Sequence, residues 1–225
     1  MALWIKSANS NQFRAAFDLL FHTFGRQHWW PADSPWEVAV GAVLTQNTSW
    51  VNVEYAINNL KQLKLLSPKA VADVSDQLLS EAIRPSGFFN LKTQRLRALT
   101  DWWLQNVSAA GSLKNCDITT AELRLNLLAI KGIGPETADS IILYAFGRPV
   151  FVIDAYTRRI AYRHLNIPST FDYEALQKIF MDNLPEDAQL FNEYHALLVQ
   201  NAKRYCGKRS CQPECPLRKL SEEID

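Results

Sequence analysis

The stretch LLAIKGIGPETADSIILYAFGRPVFVIDAYTRR, Leu127 to Arg159, decides how the rest of the chain is read. Apolar residues at helical spacing lead into it, Gly132 and Gly134 permit a tight turn, and Pro135 suits the first position of a following helix. The pattern predicts a first helix ending at Lys131 and a second opening at Pro135, a helix-hairpin-helix over 127–145. Such a turn aims free backbone N–H groups outward at a helix start, where the dipole also favours an anion such as phosphate. A bare G-x-G is equally compatible with an ordinary αα-hairpin, so the residues after the turn carry the weight. PVFVID, Pro149 to Asp154, reads as an extended apolar connector ending in an aspartate, a residue type suited to cap the helix that begins at Ala155.

Outward from this segment, apolar residues recur at helical spacing almost everywhere, as in Phe13, Phe17, Leu20, Phe21 and Phe24. Breaks at WWPADSP (Trp29 to Pro35), RPSGFFN (Arg84 to Asn90), KGIGP, FGRP and LNIPST divide the chain into about ten helices. The class is all-α. With 225 residues, 48% of them hydrophobic and 21% charged, the composition excludes disordered and collagen-like classes. A net charge of +1 gives little long-range attraction for nucleic acid, so any such contact needs a local basic face. The start, MALWIKSANSNQF, has one early lysine and no apolar run of signal-peptide length, and no stretch elsewhere approaches a membrane span; a cytoplasmic protein without membrane contact is expected. Cys206, Cys211 and Cys215 cluster while Cys116 stands apart, a distribution that reads as a metal site rather than a disulfide framework.

With the hairpin, the Gly/Pro-rich loop and Asp154 in series, the sequence resembles the endonuclease III-like helix-hairpin-helix DNA glycosylases. The resemblance covers most of the chain. GAVLTQNTSW, Gly41 to Trp50, looks like the family's helix and loop carrying a glutamine that probes the duplex where a base has left. RPSGFFN followed by LKTQRL looks like the loop that wedges into the opposite strand, and with WWP at Trp29 to Pro31 these segments are closest to the 3-methyladenine branch. The resemblance implies a two-lobed fold with the active site in the cleft between lobes. One lobe would span 33–147, and the second would combine 1–32 with 148–225. The implied partner is double-stranded DNA containing a damaged base, bound by a monomer.

Site roles follow from the same resemblance. Asp154 is the candidate catalytic residue, since cleavage of an N-glycosidic bond passes through an oxocarbenium-like state that a nearby carboxylate stabilises. In bifunctional members a lysine two residues after the last hairpin glycine forms a Schiff base; here that position is Glu136, which cannot. The implied enzyme is monofunctional. Trp29, Trp30, Pro31 and Trp50 are the expected base pocket, with Lys203 reaching toward it, and π-rich walls suit a flipped, positively charged alkylpurine. Gln46 and one of Phe88 and Phe89 are the expected minor-groove tools, with Phe88 preferred, while Lys131, Gly132 and Gly134 would hold phosphate. Arg148, Arg158, Arg159 and the tail's basic residues are expected to add a diffuse phosphate face.

The tail resembles the family's iron–sulfur loop with departures. The family pattern is C-x6-C-x2-C-x5-C, whereas this chain offers Cys206-x4-Cys211-x3-Cys215 and Ser221 where the fourth cysteine would stand. A 4Fe–4S cluster completed by serine or another oxygen, or the vestige of one over 206–221, is the expectation; a tetrahedral zinc site would lack the same fourth ligand, and no histidine lies nearby in sequence. Two alternatives stay open: a glycosylase for other damaged bases, and a non-catalytic helix-hairpin-helix module.

Overall fold

The computed structural model describes residues 10–222, with side chains described for 11–220. The helices are α1 (Ser10–Phe24), α2 (Pro35–Leu44), α3 (Trp50–Gln62), α4 (Pro68–Asp73), α5 (Asp76–Ala82), α6 (Phe89–Asn106), α7 (Thr120–Leu128) and α8 (Pro135–Ser140). The series continues with α9 (Ala155–His164), α10 (Tyr173–Asn183), α11 (Ala188–Arg204) and α12 (Lys219–Glu222). Helix α8 runs on into a π-helical turn, Ile141–Ala145. Pairing of the β type among the described residues is confined to isolated bridges, Val107 with Leu113 and Cys206 with Cys211. The fold is all-α, and no helix among the described residues is long and apolar enough to cross a membrane. The chain divides into two compact units, one of Trp30–Arg148 and one that joins the residues up to Trp29 with those from Pro149 onward.

In the unit Trp30–Arg148, α2 is buried from Trp36 to Leu44. Its start is fixed by Ser34, whose hydroxyl accepts the Glu37 N–H at 3.2 Å, with Pro35 in the first turn. Its far end is closed by Lys92, a fully buried lysine whose Nζ donates to the Leu44 carbonyl at 2.8 Å and to the Ser86 carbonyl at 2.7 Å. Burial, with a smaller contribution from the Arg95 charge, lowers the Lys92 pKa to about 8. One ammonium group therefore joins the end of α2 to the turn that precedes Phe88.

The hairpin is held by α7 and α8 through a bidentate pair. Arg124 Nε lies 2.7 Å from Asp139 Oδ1 and Nη2 lies 3.1 Å from Oδ2, and the carboxylate is wholly buried. Helix α7 ends at Leu128, three residues before the expected stop at Lys131, and opens with a capping box between Thr119 and Glu122. Ile130 and Ile133 are both buried on either side of the exposed Lys131 and Gly132, so the chain leaves the helix early to turn two side chains inward.

In the other unit, Phe13, Phe151, Phe180, Phe191 and Tyr194 form one ring cluster, with Phe151 stacked on Phe180 at 4.4 Å. Helix α9 packs on α11, and α10 and α11 pack on α1. The connector before Asp154 has no regular secondary structure and is buried from Val150 to Ile153. Its backbone is served by α10: Gln177 Nε2 donates to the Phe151 carbonyl at 2.7 Å, and the Tyr173 hydroxyl accepts the Ile153 N–H at 3.3 Å.

Arg124→Leu strands a buried carboxylate and is expected to lower unfolding free energy by about 3–5 kcal/mol. The double variant Arg124→Leu/Asp139→Leu recovers much of that loss. Urea unfolding followed by circular dichroism measures both, and a single-variant loss below about 1 kcal/mol would show that the pair does not hold the hairpin.

Candidate active site

Asp154 is the N-cap of α9. Its Oδ1 accepts the Thr157 N–H at 2.7 Å, and its Oδ2 lies 3.6 Å from Nε2 of His195 on α11. The carboxylate is 14% exposed, while Thr157 and His195 are buried. Burial on its own would push the carboxyl pKa up; the neighbouring His195 and the Thr157 N–H together outweigh it and hold the pKa below the ordinary aspartate value. The positive end of the α9 dipole acts in the same sense. The arrangement keeps a fixed, ionised carboxylate at neutral pH, which is what stabilisation of a developing sugar cation requires.

In the unit Trp30–Arg148, Gln46 lies against the hairpin that carries Lys131, Gly132 and Gly134. Gly132 has φ +89°, and a Cβ there would lie 2.6 Å from Cγ of Arg95, so both its conformation and its neighbour demand glycine. Gly134 has an ordinary φ and open space around it; it serves as the N-cap of α8. Gln46 donates to the Gly132 carbonyl at 3.2 Å and to the Thr137 hydroxyl at 2.9 Å, and accepts from Arg95. Lys131 is exposed. Phe88 has a left-handed backbone, φ 47°, and is 67% exposed, whereas Phe89 lies beneath Arg84 with the guanidinium 5.6 Å from its ring centroid. Of the two phenylalanines, Phe88 is the one presented to solvent.

The aromatic residues of this unit also meet. Trp30 contacts Trp50 edge to face, with centroids 4.9 Å apart, and tilts against Tyr144 of the π-helical turn at 5.2 Å. It lies across Gly41, where a Cβ would come within 3.1 Å of the indole. Pro31 and Trp50 line one groove of about 360 Å³ with Glu37, Glu54 and Lys61, and Glu54 accepts the Trp50 N–H at 2.9 Å. Trp29 and Lys203 belong to the other unit, where Trp29 is half-buried and Lys203 is exposed near the end of α11.

Three arginines of the expected phosphate face each also serve a backbone carbonyl. Arg148 donates to the Ile118 carbonyl at 2.6 Å, Arg158 to the Phe171 carbonyl and Arg159 to the Cys206 carbonyl at 2.8 Å. These guanidiniums satisfy backbone oxygens within their own units, and sequence proximity to the hairpin gave no sign of it.

The three tail cysteines come together as free thiols, and a histidine joins them. Nε2 of His164, the last residue of α9, lies 3.7 Å from Cys206 Sγ, 3.4 Å from Cys211 Sγ and 3.8 Å from Cys215 Sγ. The Ser221 side chain lies outside the described residues.

Residues 40–186 match the HhH-GPD superfamily of base excision DNA repair proteins. The chain belongs to that superfamily. A Methanocaldococcus jannaschii protein named as a candidate DNA repair glycosylase is 45% identical to it, covering 91% of this chain and 93% of the relative. The thymine/uracil-DNA glycosylase of Pyrobaculum aerophilum is 25% identical, covering 97% and 93%. The solved structure of H. pylori 3-methyladenine DNA glycosylase bound to 1,N6-ethenoadenine is similar with a TM-score of 0.71 and 30% identity, covering 86% of this chain and 97% of that one. This HhH-GPD protein is a DNA N-glycosylase, and the reading as a non-catalytic module falls.

Sequence reasoning passed over His195, Thr157, Arg95 and His164. Thr157 had a local signal, the N-cap spacing from Asp154; the other three are brought in by packing between helices distant in sequence.

Asp154→Asn is expected to abolish base release and leave affinity for undamaged duplex unchanged, as read by gel shift and a release assay. Because the folded pKa of Asp154 is depressed, its charge is retained as pH falls until the pH drops through that lowered value. The acid limb of kcat/KM for base release therefore lies below the ordinary aspartate range, and His195→Gln moves it upward. A limb that stays put in His195→Gln would separate His195 from the charge on Asp154.

Proposed function

We propose that this HhH-GPD protein is a monofunctional glycosylase that releases alkylated purines of the 3-methyladenine type from double-stranded DNA, acting as a monomer. The observation that carries the substrate class is the aromatic group of Trp30, Trp50 and Tyr144 beside Pro31. Such faces attract a cationic base by stacking and cation–π contact, and N3- or N7-alkylation also makes the base a good leaving group. The similarity to the H. pylori 3-methyladenine enzyme supports the same class. Trp29 and Lys203 belong to this reading as further pocket residues, and Asp154 is its catalytic carboxylate.

The absence of lyase action rests on Glu136, which stands in the position of the Schiff-base lysine and is exposed in the first turn of α8. Gly41 lies under Trp30, so a larger side chain at that position would have to displace the indole. Gln46 and Phe88 are the groove-facing tools in this scheme, and Lys131 with the Gly132–Gly134 turn receives phosphate. A second reading, thymine or uracil as the excised base, is favoured by the similarity to the P. aerophilum enzyme over nearly the whole chain.

Chromatography of bases released from methylated duplex separates the two, with a uracil-containing duplex run in parallel. Methylpurine release without strand cleavage and without a borohydride-trapped adduct is the expected result; release of uracil alone, or a covalent adduct, would overturn it. Trp50→Ala is expected to cut methylpurine excision a few-fold to tens-fold, corresponding to roughly 0.5–2 kcal/mol for a desolvated cation–π contact.

A further inference from the structure

The four ligand-type atoms at the end of α9 are arranged in a way that hydrogen bonding alone does not explain. An imidazole nitrogen has one lone pair or one N–H, enough for one partner. Yet three sulfurs surround Nε2 of His164 at 3.4, 3.7 and 3.8 Å. The donor atoms of His164, Cys211 and Cys215 all lie within 4.8 Å of one another. Cys206 stands outside that mutual group and joins it through Nε2 of His164, and the three near-equal N···S distances are those that ligands of one small centre would have.

The distances identify the kind of centre. Tetrahedral zinc binds sulfur at about 2.3 Å and imidazole nitrogen at about 2.0–2.1 Å, which places ligand N and S atoms about 3.6 Å apart. The three N···S distances bracket that value. A cubane places each of its ligands on a different iron, so its ligating atoms stand around the outside of the cluster instead of converging on one point. The donor set here, three thiols and an imidazole at close quarters, does not fit that geometry.

The surroundings suit a closed ion site. Cys206 and Cys215 are buried and Cys211 is half-buried. Three thiolates, one divalent ion and a neutral imidazole sum to one negative charge at the negative end of the α9 dipole. Arg163 Nη1 lies 3.2 Å from Cys206 Sγ and offsets it. Arg163 also donates to the Gly207 and Lys208 carbonyls at 2.6 and 2.8 Å, and Asn201, wholly buried, places Nδ2 3.4 Å from Cys215 Sγ.

We propose that His164, Cys206, Cys211 and Cys215 bind a single tetrahedral divalent ion, zinc, in a structural site completed by histidine in place of a fourth cysteine. Binding replaces three thiol protons, which are released to solvent, and involves no change of oxidation state.

The test is metal and acid-labile sulfide analysis of the full-length protein purified without air, followed by cobalt substitution. The expected result is one zinc per chain, no sulfide, and a cobalt form with the visible bands of a tetrahedral sulfur-rich site. His164→Ala is expected to shift those bands and to weaken zinc binding by more than the ~10- to 100-fold that losing a supporting partner costs, while His164→Cys retains binding. If His164→Ala does not fold, the His164→Cys cobalt spectrum still reports replacement of nitrogen by sulfur. Iron with stoichiometric sulfide would overturn the proposal in favour of a cluster. Failure to bind any metal after reconstitution, or a cobalt spectrum identical in wild type and both variants, would also overturn it. None of these readouts depends on which base the enzyme excises.

Discussion

An ionised carboxylate that must stay in one place meets two opposing demands, since burial fixes the side chain but disfavours its charge. In this glycosylase the bond from the Thr157 N–H to Asp154 Oδ1 meets both at once. It locks the rotamer, adds a donor to the charged form, and starts a helix whose dipole favours a negative group at that end. The approach to it is equally constrained. Val150–Ile153 are buried outside any regular element, and α10 supplies hydrogen bonds to their backbone.

The same helix carries consequences to its other end. Helix α9 has ten residues and is about 15 Å long, with Asp154 as its N-cap and His164 as its last residue. Helix α11 packs along it and repeats the pairing: His195 lies beside Asp154, and Asn201 lies beside Cys215. His195 thus ties α11 to the start of α9, while at the other end Asn201 reaches Cys215, whose Sγ lies 3.8 Å from His164 Nε2. In the other unit a comparable economy governs the hairpin, where Arg95 covers Gly132 and holds Gln46, which in turn bonds the Gly132 carbonyl.

How much of this could be read from the sequence depended on the range of the interaction. The hairpin, the Asp154 cap and the grouped cysteines are legible because their determinants lie within a few residues of each other. Gly132 has the positive φ that its place in the turn implied, whereas Gly134 does not, since an N-cap adopts ordinary extended backbone. The preference for Phe88 over Phe89 had no local pattern behind it, because the choice turns on a left-handed residue and on Arg84. The buried Lys92, the arginines bonded to carbonyls and the His164 partnership were hidden for one reason: each joins residues from separate elements whose packing no local pattern encodes.

Ser221 looked like a defect in the tail only while the fourth ligand was sought after the third cysteine. His164 precedes Cys206 by 42 residues and arrives through the packing of α9, so the proposed ligand set would be completed by tertiary structure. A tetrahedral ion with four protein ligands leaves no open position for water or substrate, which marks the proposed centre as structural and not hydrolytic. Its effect on base release would be indirect. By holding the last turn of α9 it would limit motion of the helix that presents Asp154, and a carboxylate displaced by about 1 Å can cost on the order of 100-fold in rate. The iron–sulfur expectation and the single-ion site therefore differ in chemistry but agree in mechanical effect, because in either case the tail anchors the helix that carries Asp154 at its start.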